Sequence, residues 1–190
     1  MRNNFNIIIS GVGGQGAVTL TQILAEAALR EGYDVKTSEL HGLSQRGGSI
    51  ETHIRFGGKV YSPLVPSSRA DLILGLEVTE GLRVVSYANK KTLFLINKSY
   101  ISFIDGLPEE AVIKKINSLL RNKVYLIPAS QVCKEKLGTE MVAGAYLLGF
   151  AIAKKIIPLK VGSLLYAIGK VIPKKHIEIN KKSFELARHQ

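Results

Sequence analysis

One cysteine, Cys133, stands among 190 residues, and tryptophan is absent. A lone thiol excludes an intrachain disulfide. It also excludes a zinc or iron–sulfur site built from the cysteines of this chain alone. Such sparing use of cysteine fits a reducing, cytoplasmic setting. No partner for a nucleophile dyad is visible in Ala129-Ser130-Gln131-Val132-Cys133-Lys134-Glu135-Lys136, so Cys133 reads as a packing residue. Long apolar runs are missing too. The longest, Met141 to Ala153, has 13 residues, against the roughly 20 of a membrane span. It reads as a core helix in which Gly144 and Gly149 permit close packing, and no membrane partner is expected. Residues 1–10 are too short for a secretory signal and lack a cleavage site.

Acidic residues are scarce: 15 Asp and Glu face 26 Lys and Arg, for a net charge of +11. The imbalance is local. From Lys154 to Gln190 there are nine basic residues against two glutamates, whereas residues 1–153 hold seventeen against thirteen. Either the C-terminal third is a solvated helix face, or it is a docking surface for an acidic partner. Nucleic acid is not expected, because Tyr166 and Phe184 are isolated among the basic residues and offer no stacking platform.

What is present begins with Gly11-Val12-Gly13-Gly14-Gln15-Gly16. It follows the apolar run Phe5 to Ser10 and precedes a helical pattern from near Gln15 to Arg30 that Gly32 ends. The spacing is Gly-x-Gly-x-x-Gly. Gly11 is expected to permit the tight turn, Gly13 to let a phosphate approach the main chain, and Gly16 to let helix and strand pack closely. Tyr33 to Ser38 alternates as a second strand. The polar segment Glu39-Leu40-His41-Gly42-Leu43-Ser44-Gln45-Arg46-Gly47-Gly48 follows. Ser49 to Phe56 is a third strand, with Ile50, Thr52, Ile54 and Phe56 on one face. Gly57-Gly58 reads as a turn into a hairpin partner at 59–62. Apolar strands then appear at 70–76, 92–97 and 123–127, alternating with helices at 77–87 and 107–120. The remainder is helical, broken at Gly138, Pro158 and Pro173, with Asn180 as a cap for the last helix. This order predicts an α/β fold: a Rossmann-like three-layer sandwich whose sheet is mostly parallel, with a hairpin excursion near 49–62 at an antiparallel edge.

The glycine turn and the polar segment 39–48 are expected to converge on one anion-binding pocket at the carboxyl edge of the sheet. Arg46 suits a phosphate or carboxylate clamp. Glu39, His41, Ser44 and Gln45 supply hydrogen-bonding groups, and Gly42, Gly47 and Gly48 give the backbone latitude. Glu39 also stands where a dinucleotide fold keeps its acidic ribose ligand, which leaves a free-standing nucleotide-binding protein, such as an NAD-dependent reductase, as the alternative. His41 and His53 lie on different elements with no carboxylate at ligand spacing, so no metal site is assigned. Ser44 lacks a nucleophile-elbow context, and no catalytic residue is assigned. Asp71 and Glu77 flank the strand at 70–76, and Glu77 either borders the pocket or simply opens its helix.

Gly11-Val12-Gly13-Gly14-Gln15-Gly16, followed by Ser38 to Ser49, resembles the gamma-type domain of the 2-oxoacid:ferredoxin oxidoreductases, and most of all the small beta subunit of the indolepyruvate type. Ala70-Asp71-Leu72-Ile73-Leu74-Gly75-Leu76-Glu77 and Met141-Val142-Ala143-Gly144-Ala145 fit the same pattern. The likeness runs over nearly the whole chain and implies a single domain, 1–190. It further implies oxidative decarboxylation of a 2-oxoacid with thiamine diphosphate. Electrons would pass through iron–sulfur clusters to ferredoxin, and an acyl-CoA would form. The resemblance also implies a large alpha subunit that carries thiamine diphosphate and the clusters; the single cysteine and the lack of a thiamine-type Gly-Asp-Gly…Asn motif in this chain agree with that. The chain alone would be inactive and would contribute to a shared site for coenzyme A, with Gly11, Gly13, Gly14, Gln15, Gly16, Glu39, His41, Ser44, Gln45, Arg46 and Gly47 as binding residues. The substrate would be indolepyruvate or another aryl pyruvate, with the pyruvate, 2-oxoisovalerate and 2-oxoglutarate types remaining open.

Overall fold

The computed structural model describes residues 4–41, 47–102, 106–119 and 124–189. Six strands form one sheet: β1 (Phe5–Val12), β2 (Asp34–His41), β3 (Ser49–Gly57), β4 (Leu72–Gly75), β5 (Leu93–Asn97) and β6 (Val124–Ile127). Their order is β2-β3-β1-β4-β5-β6. Strands β1, β4, β5 and β6 run parallel, and β3 pairs antiparallel with both β1 and β2.

Helices cover both faces. On one lie α1 (Ala17–Arg30), α4 (Ala129–Leu137), α5 (Ala143–Ala153), α6 (Val161–Val171) and α7 (Ile177–Arg188), packed on Ile7, Ile9, Ile54, Phe56, Leu74 and Leu95. The other face takes α2 (Val78–Arg83) and α3 (Glu109–Leu119), packed on Ile8, Ile73, Phe94 and Ile96. Successive strand residues point to opposite faces. A strand buried on both sides must therefore be apolar throughout, and this is why Leu72-Ile73-Leu74 and Leu93-Phe94-Leu95-Ile96 carry no alternation. On β3 the four residues expected on one face do share it. Thr52 sits among apolar neighbours there because Thr21 Oγ1 of α1 meets its hydroxyl at 2.6 Å.

The antiparallel excursion exists, but its partners differ from the expectation. The return strand at 59–62 does not form. The hairpin is made by β2 and β3 across the 42–48 segment, and β3 lies inside the sheet between β2 and β1. Residues 59–69 instead cross the face of β3, held by its side chains. Arg55 Nη1 donates to the carbonyls of Ser62 and Leu64, and the Val65 amide donates to His53 Nδ1 at 3.0 Å. That bond makes Nε2 the protonated nitrogen, which reaches Glu51 Oε1 at 2.8 Å. Tyr87 donates to the same oxygen at 2.7 Å. Both ring nitrogens of His53 are thus committed within the fold.

Two further expectations change. Asn180 does not cap the last helix; it lies inside α7, where its Nδ2 donates to the His176 carbonyl. The core helix begins at Ala143, not Met141, whose side chain is 85% exposed. Its two glycines do allow close packing. A Cβ on Gly149 would stand 2.0 Å from the Phe184 carbonyl oxygen, whereas one on Gly144 would meet only Leu20 side-chain atoms at 2.8–3.1 Å. Cys133 is fully buried in this core, 3.3 Å from Ser183 Oγ, and burial pushes its thiol up.

Gly149→Ala is therefore expected to cost about 1–3 kcal/mol or more by forcing α7 off α5. Gly144→Ala should cost less, because a leucine side chain can turn aside; denaturant unfolding of the two variants measures the difference. The Tyr87 hydroxyl is pushed up to about 12 from 10.0 by its bond to Glu51. A proton held more tightly in the folded chain stabilises it below pH 10, and that contribution disappears as the pH rises through about 12. Tyr87→Phe should thus be less stable than the parent by about 1 kcal/mol near neutrality, with the gap closing between pH 10 and 12.

Candidate functional site

The parallel strands end together at one edge, where a doubly wound sheet receives its ligands. There the glycine turn joins β1 to α1. Gly14 and Gly16 have φ of +103° and +85°, conformations open to glycine at little cost. Gly11 is required for space, not for the turn, because a Cβ would stand 2.9 Å from Gln15 Oε1 and 3.0 Å from Leu76 Cβ. Nothing lies within 4 Å of a Cβ on Gly16, so its role is backbone conformation and not the expected close packing.

The Gly13 amide is spent differently from the expectation. It donates to the Gly48 carbonyl at 2.8 Å and is not offered to a phosphate. This bond, with the pairing of Val12 to Ser49, joins the glycine turn to the end of the polar segment. The two sequence motifs therefore do meet, through Gly48. Gly47, also at positive φ, precedes the junction. Ser44, Gln45 and Arg46 lie outside the described residues. His41 closes β2, its backbone opposite Ile50. Glu39 faces Thr52 across β3 and stands two strand spacings, about 10 Å, from β1. A dinucleotide fold places its acidic strand beside β1; here β3 occupies that position, which removes the geometry behind the NAD-dependent alternative.

Gln15 folds back so that its Oε1 accepts from the Val12 amide at 2.8 Å. The carbonyl is thereby fixed inward, and the side-chain amide hydrogens remain for other partners. Gly14, Gln15 and Gly16 form one wall of a cavity of about 460 Å³. The α1 N-terminus beside them has no side-chain cap, and its first N–H groups have no partner within the helix. The floor comes from the ends of β4 and β5 and the first turn of α4: Leu76, Asn97 and Ser130. Thr139, Glu140 and Met141 with the start of α5 make the opposite wall, and Pro173, His176 and Asn180 close the side.

Asn97, Ser130, Thr139 and His176 were not anticipated. Asn97 carried a usable signal, since it is the polar residue that ends an apolar strand at the ligand edge. Asn97 Oδ1 accepts from the Ser130 amide at 3.1 Å, and its Nδ2 donates to the Leu76 carbonyl at 3.1 Å and to Ser130 Oγ at 2.8 Å.

The two acids flanking β4 have other duties. Asp71 is at the opposite, amino edge, where its carboxylate accepts from the Asn6 amide. Glu77 is fully buried as the N-cap of α2, accepting from the Glu80 amide at 2.8 Å and the Ile101 amide at 3.2 Å. Glu80 accepts from Ser49 Oγ and from Arg83. Burial pushes its carboxyl up, against the pull of both partners. Through Ser49 it anchors the first residue of β3, next to the Gly13–Gly48 junction.

Residues 6–190 match the model of the family described as pyruvate ferredoxin/flavodoxin oxidoreductase. The chain belongs to that family. An indolepyruvate oxidoreductase subunit of Archaeoglobus fulgidus is 35% identical, over 97% of this chain and 94% of its own. A common gamma subunit of pyruvate/ketoisovalerate oxidoreductases from Pyrococcus abyssi is 31% identical, over 83% and 81%. Among solved structures, a pyruvate oxidoreductase subunit from Thermotoga maritima superposes with a TM-score of 0.74 at 21% identity, covering 98% of this chain and 96% of that one. A 2-oxoglutarate:ferredoxin oxidoreductase from Magnetococcus marinus superposes with a TM-score of 0.75 at 18% identity; all of this chain matches 31% of that one.

The two roles of Gln15 in the glycine turn are separable. Gln15→Leu leaves the part-buried Val12 amide unpaired and should destabilise the fold by about 1–3 kcal/mol. Gln15→Glu restores an acceptor for that amide while replacing the outward amide hydrogens with an acceptor. It should regain stability in thermal unfolding yet bind inorganic pyrophosphate more weakly than the parent.

Proposed function

We propose that this chain is the small subunit of a thiamine diphosphate-dependent 2-oxoacid:ferredoxin oxidoreductase. The substrate is indolepyruvate or a similar aryl pyruvate, and the products are an acyl-CoA, carbon dioxide and reduced ferredoxin. The observation that carries this reading is near-equal length: the chain and the indolepyruvate oxidoreductase subunits it resembles align almost end to end. On this reading thiamine diphosphate and iron–sulfur clusters belong to a large alpha partner; Cys133, buried and the one cysteine of the chain, agrees in offering no cluster ligand set. The proposed setting is cytoplasmic; among the described residues no helix is long and apolar enough to cross a membrane.

The cavity fits part of coenzyme A. Its inner wall offers hydrogen-bond donors: the Gln15 side-chain amide and the backbone N–H groups of Gly14, Gly16 and the first turn of α1. Donors without a buried carboxylate among them suit a pyrophosphate or carboxylate. Coenzyme A when bound would supply the thiol that accepts the acyl group. The residues of this chain hold its polar part, and Arg46 adds a charge-assisted contact from the segment that ends at Gly48. Glu39, His41, Ser44, Gln45 and Gly47 are proposed as further binding residues contributed by β2 and the segment after it. The reaction centre lies on the partner, so the cavity serves as one side of a shared site.

Purified alone, the chain should show no oxidation of any 2-oxoacid. Co-expressed with its large partner, it should reduce ferredoxin in the presence of indolepyruvate and coenzyme A. Turnover by the chain alone, or tight binding of NAD with none of coenzyme A, would overturn the proposal.

A further inference from the structure

Resting on the reading of the cavity as a ligand site, we infer that Ser130 is a ligand-binding residue. It presents a directed hydroxyl donor to a phosphate or carboxylate oxygen on the cavity floor. The ends of β4 and β5 and the first turn of α4 meet at Asn97. Its amide nitrogen is committed to Leu76 and Ser130, and its carbonyl oxygen to the Ser130 amide. Asn97 is 3% exposed, so this arrangement is shielded from water, where rigid pairing is worth most.

The consequence falls on Ser130. Its Oγ accepts from Asn97 Nδ2, which occupies a lone pair and leaves the hydroxyl proton to point elsewhere. No acceptor for that proton exists among the described residues, and Ser130 lines the cavity. Asn97 thus acts as a positioning residue: it holds Ser130 by two bonds, one to the backbone and one to the side chain, and so fixes where the proton is aimed. Gln15 does the same on the wall, its carbonyl tied inward and its amide hydrogens left over. Two side chains from different elements are thereby both turned into donors by the bonds they accept. A ligand atom that satisfies them must be an acceptor, and an anionic oxygen gains most.

The source of that oxygen is either the pyrophosphate of coenzyme A or the carboxylate of the 2-oxoacid. The complex of this chain with its large partner is titrated calorimetrically with inorganic pyrophosphate, coenzyme A and indolepyruvate, in the parent and in the Ser130→Ala and Ser130→Thr variants. Alanine keeps the backbone bond to Asn97, so the melting temperature should stay close to that of the parent. Affinity should fall about tenfold for whichever ligand meets Ser130, and threonine, which keeps the hydroxyl, should recover most of it. Loss confined to pyrophosphate and coenzyme A assigns a phosphate oxygen; loss confined to indolepyruvate assigns the carboxylate. Unchanged affinity for all ligands in Ser130→Ala overturns the inference and leaves the subunit reading intact. So does a loss that threonine fails to recover and that accompanies a lowered melting temperature. If the parent complex binds none of the ligands, the inference and the reading fall together.

Discussion

The hydrogen bond from the Gly13 amide to the Gly48 carbonyl depends on a topological choice, the insertion of β3 between β2 and β1. Were β2 beside β1, as in a dinucleotide fold, the polar segment after β2 would begin near the glycine turn and then leave it. With β3 inserted antiparallel, the chain must come back to that turn, because Ser49 pairs with Val12. The segment between β2 and β3 is therefore tied at its far end to the ligand edge of the sheet. A main-chain donor that a phosphate would use elsewhere is consumed in the tie. What remains for a ligand is the next part of the turn, Gly14 to Gly16, together with the uncapped start of α1.

The two faces of the sheet divide the labour. The face carrying α1 and α5 holds the cavity, and its packing permits little adjustment. Gly144 admits Leu20 and Gly149 admits the Phe184 backbone. The opposite face holds polar networks that fasten loops. Burial alone would raise the Glu51 carboxyl, yet the bonds from His53 and Tyr87 outweigh it and hold the group below the usual carboxylate range. Glu80 goes the other way, because burial dominates its two partners. Each has two partners; the difference follows from exposure and a neighbouring like charge, since Arg83 is more than half exposed and loses strength to water, and Glu77 pushes Glu80 the same way as burial.

Much of the fold was legible because burial writes itself into sequence. The continuous apolar runs of β4 and β5 require cover on both faces, and Gly32, Gly138 and Pro173 mark helix ends. Strand partners were not legible. Alternation in Ser49 to Phe56 tells which residues share a face, not which strand lies alongside, and Gly57-Gly58 has the composition of a hairpin turn without serving as one. The glycine turn and its link to the polar segment were readable as motifs. Asn97 and Ser130 belong to no spacing pattern; a fold is needed to bring residues 33 positions apart into contact. Glu77 reads equally as a pocket acid or a helix cap, and its buried bond to the Glu80 amide decides for the cap.

The same donors set a limit on what the cavity can do unaided. Neutral hydrogen bonds contribute about 0.5–1.5 kcal/mol each after exchange with water. A handful of them gives affinity of order millimolar at best. Among the described residues no lysine or arginine lines the cavity, and the excess of basic residues lies in the C-terminal third. A phosphate-bearing ligand bound more tightly than that needs a cation from elsewhere. Arg46 is two residues ahead of the Gly48 carbonyl that grips the turn, and a partner subunit is the other source. On the proposed reading, neutral donors on the inner wall, with Glu140 as the carboxylate of the opposite wall, make an anion site that is weak in isolation and needs charge from a tethered segment or a second polypeptide. That is the behaviour expected of a subunit whose chemistry depends on a partner.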